Sequence, residues 1–365
     1  NGKVGIHLED AKSKVDYTAL TKAGLKIPPK NAELYIKPKK NLVLIFMESM
    51  SAAYLNEDKL PGLMPATQKY LNNGLNFTQV TPALNAINTI AGTYSTLSGL
   101  PFFYLKAPSK FTMTDHRDIN LSLPMILHRA GYEQVAMFGA AGQFANIAML
   151  FKKNDYDRVM SKVVLSKLPG EKQYFYWGLH DFVVFRNALV QFKELAAKKK
   201  PFNLTIMTLG THGGDGAPSG RYKPYKYISG NTLLDSVHET DYNLNCFIEA
   251  LKKTPAWKDT VVWVVADHPI GYSIAEQYMT REEQNKMTCF CLNSGYQGKI
   301  NIPANNLDLP PTILYTLGVK TNYTFPIGEN LLKDPSPSRF KCLSTPSGIK
   351  MVKKYANAKQ IIYPE

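Results

Sequence analysis

Thr260-Val-Val-Trp-Val-Val-Ala266 is a continuous apolar run that ends in Asp267-His268, and Asn41-Leu-Val-Leu-Ile-Phe-Met47 is a second run that ends in Glu48. Continuous apolar runs of this length predict strands that are buried on both faces of a sheet. Open α/β sheets bind ligands just beyond the carboxyl ends of their strands. The sequence therefore predicts three side chains of the metal-binding type at two buried strand ends.

The rest of the central region follows an α/β pattern. Further apolar runs at 133–138 and 202–209 alternate with helical segments, which predicts a central, mostly parallel sheet with helices on both faces. Helices are predicted at four places: 64–74, 182–200, 309–318, and a segment that opens with a capping box at Ser236-Val-His-Glu239 and stops before Pro255. His238, in the first turn of that last helix, is expected at the surface.

The two ends of the chain differ in composition from this region. Residues 1–38 mix Lys, Pro and short apolar pieces and are interpreted as an N-terminal arm or linker. Residues 39–333 form the predicted main domain, and 334–365, rich in Pro, Ser and Lys, a small C-terminal subdomain or extension. The first residues lack a secretion-signal pattern and the chain begins at Asn1, so we expect a fragment or a processed product.

The charge balance narrows the classes of partner. Lys and Arg exceed Asp and Glu by 43 to 29, a net charge of +14, which suggests phospholipid head groups, anionic glycans or nucleic acid as partners. The alternative is a basic, solvated surface. No zinc-finger spacing or helix-turn-helix occurs, and short Lys clusters such as Lys198-Lys-Lys200 also suit the end of a helix, so nucleic acid is not expected.

Four cysteines allow either disulfides or buried thiols. Cys246, Cys289, Cys291 and Cys342 permit two disulfides in three pairings. Cys289 and Cys291 share one face of a strand-like stretch without a second Cys or His pair nearby, so zinc binding through cysteine is not expected.

A segment without charge supplies a candidate nucleophile. Ala86 to Pro101 is rich in hydroxyl and small residues and predicts a helix whose N-terminus, near Thr89, offers free amides to a phosphate. A Thr at that terminus beside a divalent cation can ionise and attack phosphorus. Two carboxylates and an imidazole suit manganese or zinc, and more weakly magnesium. The alternatives are a buried helix with satisfied hydroxyls, and a helix-capping Asp267 with His268 packed beneath it.

A set of motifs follows in a fixed order along the chain: Phe46-Met-Glu48-Ser, Met64 to Thr78, Asn88-Thr89-Ile-Ala-Gly92, Gly99-Leu-Pro101, Trp177-Gly-Leu-His-Asp181, Gly210-Thr-His212 and Ala266-Asp267-His268. This ordered set resembles the alkaline phosphatase and sulfatase superfamily, over roughly residues 40–320. Within it, the chain looks most like the phosphoglycerol transferases of periplasmic glucans and the related lipoteichoic acid synthases.

The resemblance implies a role for each matched residue. Glu48, Thr89, Asp267 and His268 would hold one divalent ion, with manganese expected and zinc or magnesium as alternatives, and Thr89 would be the nucleophile. His212 would contact the transferred phosphate group. Further candidates for substrate contacts are Asn88, Gln143, His180 and Asp181, of which the last two equally suit a structural pair that opens a helix.

The departures from the family pattern are also informative. Two-metal phosphatases carry an Asp where this chain has Thr208, so a second metal is not expected. The sulfatase signature is absent around Thr89, which disfavours sulfate ester hydrolysis. The stretch Gly139 to Asn146 lacks the His, Trp and Arg with which lipoteichoic acid synthases hold glycerol phosphate.

The resemblance implies an activity and a location. The expected reaction moves phosphoglycerol from an anionic, phosphatidylglycerol-like lipid to a glycan hydroxyl through a phospho-threonine. Phosphoethanolamine transfer, phosphodiester hydrolysis and a non-catalytic glycan- or lipid-binding domain are the alternatives. The expected location is the periplasm or the outer face of a bacterial inner membrane, as the soluble domain of a membrane protein anchored by a segment before Asn1.

Overall fold

A mixed eight-stranded sheet is the centre of this computed structural model, which describes residues 3–10, 16–29, 31–36, 40–104, 121–271, 273–356 and 360–363. The strands are β1 Lys3–Asp10, β2 Asn31–Ile36, β3 Asn41–Met47, β4 Leu75–Phe77, β5 Val80–Thr81, β6 Glu133–Phe138, β7 Arg158–Met160, β8 Tyr174–Phe175, β9 Gly178–Leu179, β10 Phe202–Met207, β11 Thr260–Ala266, β12 Cys289–Leu292, β13 Gly298–Ile300, β14 Ala304–Asn305, β15 Val319–Thr321 and β16 Gln360–Tyr363. The helices are α1 Tyr17–Lys22, α2 Pro65–Asn73, α3 Thr89–Ser98, α4 Leu123–Arg129, α5 Ile147–Lys153, α6 Lys162–Leu165, α7 Asp181–Ala197, α8 Thr232–Lys252, α9 Arg281–Gln284, α10 Leu309–Thr316 and α11 Pro346–Ala356.

The strand order of the central sheet is β13-β4-β12-β11-β3-β10-β6-β7. The run from β11 to β7 is parallel, whereas β12 is antiparallel to both of its neighbours. Every residue of β10 and β11 is buried, which requires cover on both faces of the sheet. The predicted α/β fold with a mostly parallel sheet is therefore confirmed.

The register of β3 and β11 positions the strand ends that the sequence singled out. Thr260 pairs with Asn41 and Ala266 with Met47, so the two parallel strands end level with each other. Strand β10 lies on the other side of β3, with Met207 opposite Phe46. The residues that follow these three strands consequently meet at one edge of the sheet.

Three of the predicted helices are confirmed, as α2, α7 and α10, but the start of the fourth was wrong. Helix α8 begins at Thr232, because the Asn231 side chain accepts a hydrogen bond from the Leu234 amide. Ser236 lies inside the helix, where its hydroxyl donates to the Thr232 carbonyl instead of capping. His238 is buried, with Nδ1 2.7 Å from the Leu63 carbonyl oxygen, so its predicted surface position was also wrong.

The terminal segments form a second sheet. Its order is β15-β2-β1-β16, so strands from the predicted arm and from the predicted C-terminal extension pair with each other. The alternation of buried Ala32 and Leu34 with more exposed neighbours in β2 is the strand signal that the arm interpretation overlooked. The boundaries at residues 39 and 333 stay a prediction. No helix within the described ranges is both long and apolar enough to cross a membrane.

The four cysteines have free thiols, and three of them, Cys289, Cys291 and Cys342, match the alternative of buried thiols, whereas Cys246 is exposed. Cys289 and Cys291 are buried on β12, and burial raises the pKa of both thiols. These two cysteines therefore pack as small apolar residues.

Helix α3 lies so close to the end of β11 that it depends on a glycine. A Cβ at Gly92 would lie 1.8 Å from the Asp267 carbonyl oxygen. We predict that Gly92→Ala lowers the free energy of unfolding by about 1–3 kcal/mol, because the helix must move away from the strand end. Gly271→Ala is the control, since nothing lies within 4 Å of its Cβ. Equal stability of the two variants in urea denaturation would contradict this close contact.

Candidate active site

Two carboxylates and an imidazole meet beyond β3 and β11. Ligand atoms of Glu48, Asp267 and His268 lie within 4.8 Å of one another, and all three residues are buried. His268 Nε2 is 3.1 Å from Glu48 Oε1 and 3.8 Å from Asp267 Oδ2. Oxygen and nitrogen ligands in this number are typical of a site for a divalent ion such as manganese or zinc.

The electrostatics of the cluster favour a bound cation. Burial, followed by the neighbouring charge of Glu48, raises the pKa of Asp267. Burial opposes ionisation of Glu48 too, but the charge and hydrogen bond of His268 lower the pKa of Glu48 below its usual range. Two buried carboxylates side by side repel each other unless a positive charge lies between them. The donor set thus fits a divalent ion.

Ser49 has a strained backbone conformation and binds two residues of this cluster. Its φ is 51°, in the left-handed region that non-glycine residues seldom adopt. The conformation lets the Ser49 amide donate to Asp267 Oδ1 at 2.9 Å, while the Ser49 hydroxyl donates to Glu48 Oε1 at 2.7 Å. One residue therefore orients both carboxylates, which offsets the cost of its strain.

Thr89 joins the cluster from the first turn of α3, as the sequence predicted for a helix start. Its hydroxyl donates to Glu48 Oε2 at 2.9 Å. Asn88 caps the helix: its side-chain oxygen accepts from the Ala91 amide, and its nitrogen donates to the Tyr104 hydroxyl. Asn88 therefore positions Thr89, and its predicted contact with substrate stays a prediction.

The loop after β10 brings His212 to the same place. Thr208 Oγ1 accepts from the Glu48 amide at 2.9 Å, and the Thr211 hydroxyl donates to the Glu48 carbonyl at 2.6 Å. Thr208 and Thr211 thus hold the backbone of Glu48 at its amide and at its carbonyl. His212 then contacts the rings of Trp177 and Phe144, at centroid distances of 4.4 and 5.7 Å.

A pocket that is open to solvent lies between Thr89 and His212. Apolar side chains form most of its wall, and the full lining is Glu48, Thr89, Ile90, Phe138, Gly139, Ala140, Phe144, Ala145, Ile147, Met207, Thr208, Leu209 and His212. Sequence reasoning missed Phe144 and gave Trp177 no role, although Trp177 stands in one of the family-like motifs. Apolar walls beside charged groups strengthen electrostatic interactions in the pocket.

His180 and Asp181 do not line this pocket, and their predicted contacts with substrate stay a prediction. Asp181 Oδ1 accepts hydrogen bonds from the Leu209 amide at 2.7 Å and the Gly210 amide at 3.2 Å, and Oδ2 accepts from Thr240 Oγ1 at 3.1 Å. His180 is buried against Phe175. The pair opens α7 and fixes the loop that carries His212, because a buried carboxylate binds the amides that it meets.

Gln143 stays a prediction as a substrate contact. It is exposed, in the turn before the short helical segment 144–146, and does not line the pocket. Ala145 and Asn146 in that segment both have positive φ, of 45° and 58°. The segment thereby turns sharply and places Phe144 beside His212.

A mostly parallel α/β sheet, with two carboxylates, an imidazole and a helix-terminal threonine gathered at its strand ends, is a fold of the alkaline phosphatase type. A model of the family described as Sulfatase matches residues 40–319, and the chain belongs to this family. The family resemblance carried by the ordered motifs is confirmed.

Relatives and solved structures agree with this family. Phosphoglycerol transferase I from Escherichia coli (strain 55989 / EAEC) is 28% identical over 289 residues, which cover 77% of this chain and 38% of the relative. The chain thus spans less than half the length of the curated relatives that it matches. A protein in the alkaline phosphatase superfamily from Vibrio parahaemolyticus has a TM-score of 0.73 at 23% identity, covering 88% of this chain and 79% of that one. The lipoteichoic acid synthase LtaP from Listeria monocytogenes has a TM-score of 0.70 at 18% identity, covering 87% and 81%. These two structures share the fold.

The burial of Asp181 should make the free energy of unfolding depend on pH. Burial raises the pKa of Asp181 to about 6, against about 3.9 for an exposed aspartate. The folded state therefore keeps a proton that the unfolded chain loses, and the resulting stability is present below about pH 4 and is lost as the pH rises through 6. Relative to Asp181→Asn, the wild-type free energy of unfolding should fall by about 2 kcal/mol between about pH 4.5 and about pH 7.

Urea denaturation of both proteins at the two pH values measures this difference. Asp215→Asn is the matched control, because Asp215 is exposed and lies on the loop after β10, the loop that Asp181 binds. A difference between wild type and Asp181→Asn that stays constant with pH would show that Asp181 does not carry the raised pKa.

Proposed function

We propose that the chain transfers a phosphoglycerol group from a phosphatidylglycerol-like lipid to a glycan hydroxyl, through an ester on Thr89. The observation that carries this proposal is the hydroxyl of Thr89, 2.9 Å from Glu48 at the start of α3 and in the same pocket as His212. The similarity to relatives named phosphoglycerol transferase I supports the choice of transferred group.

Glu48, Asp267 and His268, with Thr89, would hold one divalent ion. Manganese is the ion that we expect, with zinc and magnesium as alternatives for this donor set. When bound, the ion would lower the pKa of the Thr89 hydroxyl and offset negative charge on the phosphoryl oxygens. The two carboxylates and the imidazole would keep it at one strand edge.

In the first step, the Thr89 hydroxyl releases its proton to water and its oxygen attacks the phosphorus of the lipid. The bond between phosphorus and the diacylglycerol oxygen breaks, and His212 gives that oxygen a proton as it leaves. The amides at the N-terminus of α3 stabilise charge on the phosphoryl group, because the helix dipole is positive there. The product of this step is glycerophosphoryl-Thr89.

In the second step, a glycan hydroxyl attacks the same phosphorus. His212 takes the proton of that hydroxyl, the bond from phosphorus to Thr89 breaks, and the Thr89 oxygen takes a proton from water. The Nδ1 atom of His212 is buried and has no hydrogen-bond partner among the described residues, which supports a direct contact between this histidine and substrate. A buried, unpaired nitrogen costs free energy that a substrate oxygen would offset.

The two substrates of the proposed reaction indicate where the chain acts. A phospholipid donor and a glycan acceptor meet outside the cytoplasm, so the proposed place is the periplasm or the outer face of a bacterial inner membrane. The net charge of +14 suits an anionic donor at a membrane surface.

Thr89→Ala tests the nucleophile. Turnover should fall at least about a thousandfold in this variant, because the attacking oxygen is gone. After incubation with phosphatidylglycerol, the peptide that contains Thr89 should gain the mass of a glycerophosphoryl group in wild type and gain no mass in the variant. Ser95→Ala, on the same helix and with a hydroxyl that has no partner among the described residues, is the control. An adduct that forms with phosphatidylethanolamine and not with phosphatidylglycerol would replace the proposed donor. Free glycerol phosphate without glycan product would make the enzyme a phosphodiesterase.

Metal removal tests the ion site separately from activity. After chelation, Mn²⁺ at about a hundred times its dissociation constant should raise the free energy of unfolding by about 2.7 kcal/mol. Glu48→Gln should abolish this increase because it removes a buried ligand, and Glu249→Gln, at a partly exposed position on α8, should preserve it. Equal metal-induced increases in both variants, measured by thermal unfolding, would place the ion elsewhere.

A further inference from the structure

A hairpin beside the pocket exposes large aromatic side chains. Strands β8 and β9 pair with each other, and the Leu179 amide donates to the Gly139 carbonyl, which holds the hairpin at the carboxyl end of β6. Tyr176 at its turn is 88% exposed and Tyr174 is 49% exposed. Packing inside the chain does not account for aromatic rings at this exposure.

A second segment, Arg221-Tyr-Lys-Pro-Tyr-Lys-Tyr227, alternates basic and aromatic residues. Tyr225 is its buried anchor, with a hydroxyl that donates to the Pro61 carbonyl at 2.9 Å. Tyr227 is 55% exposed, and the Lys226 ammonium lies 4.5 Å from the centre of its ring. Tyr222 stacks on Tyr242 of α8 at 4.0 Å. Sequence reasoning overlooked this alternation.

The two segments adjoin each other, and the hairpin borders the pocket. The Gln173 side chain donates to the Ser219 carbonyl at 2.7 Å, and Arg221 pairs with Glu171 at 2.6 Å. Trp177, at the hairpin turn, packs against His212. We call Tyr174–Trp177 together with Arg221–Tyr227 the aromatic-basic surface.

We propose that the aromatic-basic surface docks the chain on an anionic phospholipid bilayer, so that a lipid head group can reach Thr89. This inference rests on the proposed function, which requires a donor held in a membrane. Tyr and Trp favour the boundary between membrane and water, and Lys and Arg are attracted to anionic lipid head groups. The surface therefore matches an anionic bilayer in both polarity and charge.

Aliphatic neighbours favour a bilayer over a sugar chain as the occupant. Val163 and Val164 on α6 are 53% and 39% exposed, and Lys162 beside them lies 5.6 Å from the ring of Tyr174. Aromatic rings can stack on sugars as well as insert among head groups, but exposed valines gain nothing from sugar hydroxyls. They gain when acyl chains take them out of water.

Flotation with vesicles of phosphatidylglycerol and phosphatidylcholine tests the proposal. Wild type should float with the vesicles, and Tyr174→Ser/Tyr176→Ser and Lys223→Glu/Lys226→Glu should each lower the bound fraction at least fivefold. Lys193→Glu/Lys258→Glu is the matched charge control, since these lysines line a groove with Pro201 and Asp259 at the amino ends of β10 and β11. Its bound fraction should change less than twofold.

Two results would overturn the proposal. One is an equal loss of vesicle binding in the control and in the surface variants, which would show a general charge effect. The other is unchanged vesicle binding in the surface variants with loss of retention on an anionic glycan column, which would make the glycan the occupant.

Turnover of two donors separates this proposal from the proposed function. The surface variants should turn over phosphatidylglycerol in vesicles at least fivefold more slowly than wild type. They should turn over a water-soluble, short-chain phosphatidylglycerol at the wild-type rate. Equal losses on both donors would overturn the docking role. If wild type transfers phosphoglycerol from neither donor, the proposed function fails, and flotation still decides whether the surface binds membranes.

Discussion

The level ends of β3 and β11 are the constraint on which the site depends. Because Ala266 pairs with Met47, the next residues of both strands, Asp267 and Glu48, are forced side by side in a buried space. Two adjacent buried carboxylates are unfavourable unless positive charge compensates them. His268 supplies part of that compensation, and the geometry favours a divalent ion for the rest.

The surrounding structure keeps these charges in place. Thr208 and Thr211 hold the backbone of Glu48, and Ser49 bridges the two carboxylates. Asp181 fixes the loop of His212 from behind. Most of these contacts join segments that follow different strands or helices. A shift of one element therefore moves Thr89, His212 and the cluster of Glu48, Asp267 and His268 relative to each other.

The sequence predicted this site as far as local pattern and strand position allow. Glu48 and Asp267-His268 follow continuous apolar runs, and Thr89 opens an uncharged helix, so each could be placed without the structure. The long-range partners could not be placed in this way. The residues around Asp181 do not show that its carboxylate binds the amides of Leu209 and Gly210. Likewise, the local sequence at Ser236 fits a helix N-cap as well as the sequence at Asn231, where the helix actually begins. The terminal sheet was missed for the same reason, because β1 and β16 stand at opposite ends of the chain.

Anomalous diffraction from crystals soaked in Mn²⁺ tests the central claim most directly. The account predicts one anomalous peak per chain, about 2.0–2.3 Å from oxygen or nitrogen atoms of Glu48, Asp267 and His268 and next to the Thr89 hydroxyl. A peak away from these residues, or two peaks of equal height within the pocket, would contradict a single-ion site at this strand edge.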